Sequence, residues 1–453
     1  MGTISSGLAK AWSSIGGFAA AVAVLAILGA AFANFGFFAK LVVAAVLLAA
    51  LLSLPLRALL GAVVVATFAT RISLSVGTID IRPEHFVTCA LVARLLYKQH
   101  GVRLTRRQTQ VLAALTAFLV LNIVSTALQA PDPGRSVSIL GWIALDIALF
   151  AALADIRPYR DQMIRIGVVT SMFAAALAVV VEALATFAGT TIGVQLDPPF
   201  GHAAYVLSYE ANTLASSIAI WAVVAALVRW PRRGIQYALQ LLAIAGIVAT
   251  HTRAALIGYV GAMALIAVWR RWLPIPVLAT IGVVAASLVF VVPLVTPSAP
   301  STLQPVVSKF SHALDFKSGN GLLRVRSWKF AAADMKGSAY FLGLGTNSYG
   351  QRHLFTTAPG TTIPGYLGNL PLQIMYDVGI LGVVLLAFVV AVVARATSSI
   401  TWIALGFVYL TCSIATSIFW FSLTWILIAL ALSRDDSSTD ASLRAPCTTT
   451  QAA

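Results

Sequence analysis

The sequence predicts an all-α, polytopic membrane protein with about 12 to 14 transmembrane helices and one long loop outside the membrane. Three observations support this prediction. Hydrophobic residues make up 59% of the 453-residue chain, whereas charged residues make up only 10%. Apolar runs of about twenty residues recur along the chain, and basic residues concentrate in every second connection between them. One long stretch, Ser298–Leu370, is too polar to lie within a membrane.

The apolar runs give about fourteen candidate spans. The first follows only Lys10 and is expected to be an uncleaved membrane helix. The fourth is short and weakly apolar, so a tilted or re-entrant segment is the alternative for it. In chain order the spans are Ile15–Ala33, Phe37–Leu56, Ala58–Thr78, Glu84–Tyr97, Gln110–Leu128, Val137–Asp155, Met163–Gly189, Ala211–Val228, Ile235–Thr250, Arg253–Trp269, Leu273–Val295, Pro371–Val393, Ile400–Thr416 and Ser417–Leu432.

The placement of charge predicts the orientation of these spans. Basic clusters such as Lys98–Arg107, Arg157–Arg165 and Arg229–Arg233 fall in alternate connections, which the positive-inside rule assigns to the cytoplasm. Both termini are therefore expected in the cytoplasm. The net charge of +15 then follows from membrane topology, so the expected partner is the lipid bilayer and no nucleic acid is needed.

This topology divides the chain into four regions. Residues 1–297 are expected to form a transmembrane helix bundle, 298–370 an extracytoplasmic loop domain, 371–433 the C-terminal transmembrane helices and 434–453 a disordered cytoplasmic tail. The loop domain contains seven basic residues and two acidic ones. A basic loop held over a membrane bundle favours an anionic substrate.

Arg253 is the most informative single residue. It follows Thr250, His251 and Thr252 at an outer turn and begins the next predicted helix. A cation at a helix N-terminus opposes the helix dipole, so the position is unfavourable unless an anion shares the site. A helix N-terminus together with an arginine would hold a diphosphate well. The alternative is an arginine that reaches the lipid headgroups or pairs with an acidic residue such as Glu182 or Glu210.

A second arginine pair lies in the amphipathic stretch Leu322–Lys336. Helical spacing places Arg324 on the apolar side with Trp328, whereas Arg326 falls on a polar face with Lys329. A helix lying on the bundle would therefore aim Arg324 inward as the ligand-binding arginine. Arg326 is retained as a second substrate-binding candidate, with a solvated charge as its alternative.

Glu210 is the first candidate for a general base. It lies at the outer end of a predicted membrane helix, where partial burial would raise the pKa of its carboxyl group. The alternative is a carboxylate that only offsets the helix dipole. His202 is a second candidate base or binding residue. Tyr205 and Tyr209 could stack on sugar rings, although an interfacial aromatic belt is the commoner role.

Four other ionisable residues lie within or near apolar runs: Arg71, Asp146, Glu182 and Asp377. Such residues are functional hypotheses by default, including a role in an ion pathway, and they support a transporter as an alternative. The Gly343-Leu344-Gly345 segment is expected to be a turn. No His, Cys, Asp or Glu cluster has metal-ligand spacing, so the sequence predicts neither a metal nor a cofactor.

Three motifs then occur in a defined order around the long loop. The first is Thr250-His-Thr-Arg253-Ala-Ala-Leu-Ile-Gly258. The second is Arg324-Val-Arg-Ser-Trp328 followed by Gly343-Leu-Gly-Thr-Asn347. The third is Asn369-Leu-Pro-Leu-Gln373 followed by Asp377-Val-Gly379-Ile-Leu-Gly382. In this order they resemble the O-antigen ligase and Wzy polymerase superfamily of bacterial membrane glycosyltransferases. Glu210-Ala-Asn212 is similar to a further motif of some members.

The resemblance implies a GT-C-like enzyme in the bacterial cytoplasmic membrane, with its active site on the extracytoplasmic side. Its donor would be a glycan on undecaprenyl diphosphate, and its acceptor would be a second glycan. Arg253 and Arg324 would hold the diphosphate leaving group without a metal. The third motif implies substrate-binding roles for Asn369 and Gln373.

One position departs from the family pattern. Ligases of the family have a histidine directly before the Asn-x-x-Leu-Gln segment, whereas this chain has Gly368. Either another base serves, Glu210 first and then His202 or His353, or the acceptor attacks with little assistance. This difference favours a polymerase that joins repeat units. An O-antigen ligase-type enzyme with a lipid or protein acceptor and a polysaccharide or ion transporter are the alternatives.

Overall fold

Helices dominate the part of the chain that the computed structural model describes, which comprises residues 37–76, 79–97, 104–196, 202–228, 230, 232–270, 319–358 and 361–433. These residues form fifteen α-helices and three short antiparallel hairpins. The predicted all-α fold class is therefore confirmed. Two predicted spans, Ile15–Ala33 and Leu273–Val295, and the tail 434–453 lie outside the described residues.

The described residues before the long loop form nine helices and two hairpins. In chain order these are α1 (Phe37–Ser53), α2 (Leu56–Ala66), β1 (Leu74–Val76), β2 (Ile79–Ile81), α3 (Pro83–Tyr97), α4 (Arg106–Gln129), α5 (Pro133–Ala152), α6 (Arg160–Ala188), β3 (Val194–Leu196), β4 (His202–Ala204), α7 (Ala211–Leu227), α8 (Arg233–Ala249) and α9 (Arg253–Trp269).

The described residues of the loop and the C-terminal region form six helices and one hairpin. In chain order these are α10 (Gly319–Asp334), α11 (Ser338–Leu342), α12 (Ser348–Arg352), β5 (Leu354–Ala358), β6 (Thr361–Pro364), α13 (Leu370–Ala396), α14 (Ser399–Ala415) and α15 (Ser422–Leu432). Short 3₁₀ turns precede α6 and α15, at Arg157–Tyr159 and Ile418–Trp420.

Four of the described helices are long and apolar enough to cross a membrane, namely α4, α5, α6 and α13. At 1.5 Å of rise per residue, about twenty residues span the hydrocarbon layer. Seven further apolar helices are shorter, with α7, α8 and α9 among them. Most predicted spans therefore correspond to a helix, and the prediction for Arg253–Trp269 matches α9 at both ends.

Helix α7 lies at the centre of the bundle. It packs against α6, α8, α9 and α14, and nearly all of its residues are buried, including Trp221. Its sequence is rich in alanine and serine and is apolar all round, which is typical of a helix enclosed by others. Small side chains also let neighbouring membrane helices approach closely. Glu210 and Asn212, at the N-terminal end of α7, are therefore held by the core of the bundle.

The predicted span Ala58–Thr78 is wrong in its extent. Helix α2 ends at Ala66, and the chain then turns into the β1–β2 hairpin. This turn forms hydrogen bonds with the segment before α7. Arg71 N–H donates to the Leu207 carbonyl (2.9 Å), and Tyr209 N–H donates to Thr70 Oγ1 (2.8 Å). These tertiary hydrogen bonds replace the helical ones beyond Ala66.

The predicted span Ser417–Leu432 is also interrupted. Its first residues form a 3₁₀ turn, and α15 begins only at Ser422. The guanidinium of Arg82 donates to the carbonyl of Trp420 (3.0 Å), and Ser422 Oγ donates to Asp146 Oδ1 (2.6 Å). A buried cation and a buried carboxyl group thus hold this segment in a non-helical path.

The loop docks on the bundle where α13 breaks. Gly379 has non-helical backbone angles inside α13 (φ +67°, ψ −168°). Because the helix is interrupted there, carbonyls of the preceding turn accept hydrogen bonds from the loop. Leu344 N–H donates to the Tyr376 carbonyl (2.7 Å), and Gly345 N–H donates to the Asp377 carbonyl (3.1 Å). The expected turn at Gly343–Gly345 is confirmed, and it pairs with this break.

The contact between the two glycine motifs leaves no room for a side chain. A Cβ atom on Gly379 would overlap the carbonyl group of Phe341, and one on Gly343 would overlap the backbone of Asp377. Both glycines also have positive φ angles, which L-residues with a side chain rarely adopt. Glycine is therefore required at both positions for two independent reasons.

The turn is further tied to α4 and α5. Thr346 N–H donates to Thr126 Oγ1 (2.9 Å), and Thr346 Oγ1 donates to Asn122 Oδ1 (2.7 Å). The Thr346 carbonyl accepts from Ser136 Oγ (2.6 Å). All four side chains are buried. Because buried polar groups are costly unless they are paired, this network specifies one position for the loop on the bundle.

We predict that Gly379→Ala separates the loop from the bundle. The alanine would add the overlap with Phe341 to the backbone strain, which alone is about 1–3 kcal/mol. Gly337→Ala is the matched control, because Gly337 has a similar φ of +60° but open space around its Cβ position. The unfolding temperature of the purified protein should fall much further for Gly379→Ala. Equal losses in the two variants would show that the contact is unimportant.

Candidate active site

The N-terminal end of α7 places a carboxyl group among several distant segments. Glu210 precedes the first residue of α7, and its Oε1 atom accepts a hydrogen bond from Thr416 Oγ1 (2.6 Å). Thr416 itself is buried at the end of α14. Glu210 occupies the N-cap position of α7 but makes no side-chain capping bond to that helix.

Burial raises the pKa of the Glu210 carboxyl above its usual range. Three neighbours act in the opposite direction, namely the hydrogen bond from Thr416, the positive charge of Arg324 and a hydrogen bond from Asn212. The net shift is upward, so desolvation exceeds the stabilisation of the carboxylate by these neighbours. A carboxyl group with a raised pKa is a stronger base once it is ionised.

Asn212 connects Glu210 to the start of α9. Its side chain bonds Glu210, and its Oδ1 atom accepts from Thr252 Oγ1 (3.3 Å). Thr252 is buried and directly precedes Arg253, the first residue of α9. The N-terminus of α9, with its half-buried arginine, therefore lies beside the Glu210 region.

The turn before α9 is strained. His251 is buried and has φ +53°, a left-handed conformation that is uncommon for residues other than glycine. Its Nε2 atom lies 3.5 Å from Glu182 Oε1 of α6. Strain of this kind is found preferentially at functional sites, where the surrounding structure maintains it. The turn thus holds Thr252 and Arg253 in a defined position.

Arg324 reaches the same region from the long loop. It is half-buried on α10, whereas Arg326 is exposed. Trp328, predicted on the inner face with Arg324, is also half-buried, and Ala331 is buried. Trp328 Nε1 donates to the Leu367 carbonyl (3.2 Å). The predicted orientation of this helix is therefore confirmed. The charge of Arg324 acts on Glu210, so α10 approaches the N-terminal end of α7.

Tyr366 and Thr416 are site residues that the sequence did not indicate. The hydroxyl of Tyr366 lies 3.2 Å from Thr416 Oγ1 and accepts from the N–H of Ser417 (3.0 Å). Tyr366 belongs to the segment between β6 and α13 and stands two residues before Gly368. We define the Glu210 cluster as Glu210, Asn212, Thr252, Tyr366 and Thr416. Apart from Glu210 and Asn212, its members are far apart in sequence, and no local pattern in the sequence links them.

Gly368 has φ +57° and is buried. Glycine adopts this left-handed conformation without strain. The local backbone therefore suits the glycine that is present.

His353, a candidate base, bonds an acidic residue. Its Nε2 atom lies 2.6 Å from Asp334 Oδ2, and its ring stacks on Phe330 at a centroid distance of 5.3 Å. Asp334 also accepts from the hydroxyl of Tyr376 (2.7 Å). Burial raises the pKa of Asp334, but the bonds from His353 and Tyr376 and the charges of His353 and Arg352 outweigh it, so the pKa lies below its usual range. This pairing joins α10 to α13.

The other predicted binding residues have protein partners. Asn369 caps α13, since its Oδ1 atom accepts from Leu372 N–H (3.1 Å), and Gln373 donates to both carboxylate oxygens of Asp377 (2.9 Å each). His202 is half-buried in β4. Tyr209 is exposed and lies against Phe421 at a ring distance of 6.2 Å. Their predicted roles in substrate binding stay predictions.

The four ionisable residues that lie within or near apolar runs each contact a different neighbour. The pairs are Asp146 with Ser422 (2.6 Å), Glu182 with His251 (3.5 Å), Arg71 over the ring of Tyr205 (3.9 Å) and Asp377 with Gln373 (2.9 Å). Among the residues that the structure describes, no three His, Cys, Asp or Glu side chains lie close enough together to hold a metal ion.

A buried ion pair at the start of α3 contacts the segment that follows Thr416. Arg82 Nε lies 3.2 Å from Glu84 Oε1, and the guanidinium lies over the rings of Trp142 (4.4 Å) and Phe421 (4.7 Å). Arg82 is itself buried, and it fixes the segment after Thr416 because the same guanidinium bonds the Trp420 carbonyl.

A family model described as O-antigen ligase matches residues 238–387, which are 150 of the 453 residues. The match includes Arg253, Arg324, Tyr366 and both glycine motifs, whereas Glu210 and Thr416 lie outside it. No curated protein and no solved structure matches the chain. The resemblance of the three motifs is thus confirmed. Residues 238–387 are similar to the O-antigen ligase family and lie within a helical membrane protein.

Proposed function

We propose that this protein is a membrane glycosyltransferase that moves a glycan from undecaprenyl diphosphate to an acceptor sugar and so polymerises the repeat units of a surface polysaccharide. The family match and the helical spans support a role in polysaccharide synthesis at the bacterial inner membrane. One observation carries the finer proposal. The Glu210 carboxyl, the charge of Arg324 and the start of α9 lie together at the N-terminal end of the central helix.

The arginines would stabilise the leaving group. When the bond between the anomeric carbon and the diphosphate oxygen breaks, the polyprenyl diphosphate departs with the electron pair, and negative charge develops on that oxygen. Arg324 on α10 and Arg253 at the N-terminus of α9 are the two cations that would neutralise it. No metal is needed for this role, because guanidinium groups bind phosphate oxygens through charge-assisted hydrogen bonds.

Glu210 would activate the acceptor. The acceptor hydroxyl attacks the anomeric carbon, its proton passes to the Glu210 carboxylate, and the new glycosidic bond forms as the diphosphate leaves. The raised pKa favours this transfer, since a carboxylate of higher pKa accepts a proton more readily. His353, in contrast, already bonds Asp334.

An O-antigen ligase-type enzyme that transfers to a lipid or protein acceptor is the second candidate, because the matching family model is described as O-antigen ligase. The polymerase is preferred because Gly368 occupies the position of the ligase histidine.

The deciding experiment uses the purified protein in lipid vesicles with a labelled lipid-linked repeat unit from the source bacterium. A ladder of longer glycans supports the polymerase. A single addition to a second acceptor supports the ligase instead. An unchanged glycan overturns both enzymatic assignments and favours transport.

We predict that Arg324→Ala reduces transfer by about 100-fold or more, because it removes a cation from the developing charge. Arg253→Ala should have an effect of similar size. Arg326→Ala is the matched comparison on the same helix, and its effect should be mild because this side chain is exposed. Initial rates at equal protein levels measure all three. Full activity of Arg253→Ala or Arg324→Ala would contradict the proposed diphosphate site.

A second prediction concerns pH. The wild-type rate should rise with pH through a pKa above the usual carboxyl value of about 4, because Glu210 must lose its proton before it can act as a base. Glu210→Gln keeps the shape and the acceptor for Thr416 but cannot ionise. The variant should be slower by about 100-fold or more and should lack this rise. An unchanged pH–rate profile in the variant would exclude Glu210 as the base.

A further inference from the structure

We propose that Tyr366 binds the acceptor sugar against its ring and, through Thr416, positions the carboxyl group of Glu210. This inference rests on the proposed function and adds the acceptor side of the site. It concerns a residue that neither the motifs nor the family pattern indicated, and three observations support it.

The first observation is a hydrogen-bond chain with a fixed direction. The N–H of Ser417 can only donate, so the Tyr366 oxygen accepts from it (3.0 Å). Thr416 has a single hydroxyl proton, which it gives to Glu210 Oε1 (2.6 Å). The contact between Tyr366 and Thr416 (3.2 Å) must therefore use the tyrosine proton. The chain runs from Ser417 through Tyr366 and Thr416 to Glu210.

The second observation is the division of Tyr366 between a buried and an exposed part. The residue is 52% exposed, yet its hydroxyl bonds Thr416 and Ser417, which are 1% and 3% exposed. A tyrosine of an interfacial belt points its hydroxyl toward the headgroups. Tyr366 does the reverse, so membrane anchoring does not explain its orientation. Its apolar ring is therefore exposed and held at a fixed angle by its hydroxyl.

The third observation is the short hydrogen-bonded path from the Tyr366 hydroxyl to the carboxyl group of Glu210. Only the Thr416 hydroxyl separates Tyr366 from Glu210. Aromatic rings present a broad apolar surface, and the C–H face of a sugar ring is a suitable partner for it. A sugar lying on Tyr366 would therefore have its hydroxyls near the Glu210 carboxyl.

The chain also has a consequence for the protonation of Glu210. The charged and titratable groups that act on one another here are Glu210, Arg324 from α10 and Tyr366. The bond from Thr416 lowers the pKa of Glu210 against the larger effect of burial. Loss of the Tyr366 hydroxyl would leave Thr416 free to rotate away. The pKa of Glu210 would then rise further, and the rate would reach its maximum at a higher pH.

The test measures initial rates with the lipid-linked repeat unit as donor and the same glycan, released from its lipid, as acceptor. Tyr366→Phe keeps the ring but removes the proton donor. We expect about a tenfold lower kcat and an unchanged KM for the acceptor. The acid limb of the pH–rate profile, where the rate rises with pH, should shift to higher pH. Tyr366→Leu also removes the ring, so the acceptor KM should rise about tenfold as well.

Two further sets of variants separate positioning from general damage. Thr416→Val should shift the acid limb of the pH–rate profile as Tyr366→Phe does. Thr416→Ser keeps the hydroxyl, so its acid limb should lie at the same pH as that of the wild type. Tyr340→Leu is the matched control, because Tyr340 is a comparably exposed loop tyrosine that lies against Phe341 instead of the Glu210 cluster. It should leave the acceptor KM unchanged.

The outcomes distinguish this inference from the proposed function. A wild-type enzyme that elongates the glycan, with Tyr366→Phe and Tyr366→Leu behaving like it, overturns the role of Tyr366 alone. Equal losses in Tyr366→Phe and Tyr366→Leu without a change in the acceptor KM would refute the sugar platform. A wild-type protein that leaves the glycan unchanged overturns both proposals.

Discussion

The structure depends on the contact between the loop turn at Gly343–Gly345 and the break in α13 at Gly379. Two backbone hydrogen bonds join them, from Leu344 and Gly345 to the carbonyls of Tyr376 and Asp377. A helix interior normally has no free carbonyl, and the break supplies these acceptors. This contact fixes the position of the loop on the bundle. Helix α10, which carries Arg324, precedes the turn, and the segment with Tyr366 follows the turn. If the turn moved, both residues would leave the Glu210 region.

The candidate site is accordingly built from segments that only the fold brings together. Glu210 and Asn212 come from the buried central helix, Thr252 from a strained turn, Thr416 from the end of α14 and Tyr366 from the loop. Burial disfavours the Glu210 carboxylate, while a hydroxyl, an amide and the charge of Arg324 favour it. Such opposing effects are typical of catalytic carboxyl groups, because they keep the pKa near the range in which a base can act.

Much of the fold could be predicted from the sequence, since hydropathy and charge act locally. Helix α9 matches its predicted span because Arg253 and Trp269 bound an uninterrupted apolar run. The span Ala58–Thr78 failed because Thr70 and Arg71 exchange hydrogen bonds with residues about 140 positions away. Arg324 was placed correctly by helical spacing. Tyr366 and Thr416 could not be found in this way, because a loop tyrosine and a threonine after a helix have no local pattern that reveals a distant partner.

The central claim is that Arg253 and Arg324 hold one diphosphate beside Glu210. It is tested most directly by an experimental density map of the protein with a bound undecaprenyl-diphosphate-linked sugar. We expect both phosphates between the two guanidinium groups, the sugar next to Glu210 and the lipid chain leading into the bilayer. A diphosphate bound elsewhere, or the two guanidinium groups on separate faces of the bundle, would contradict the account.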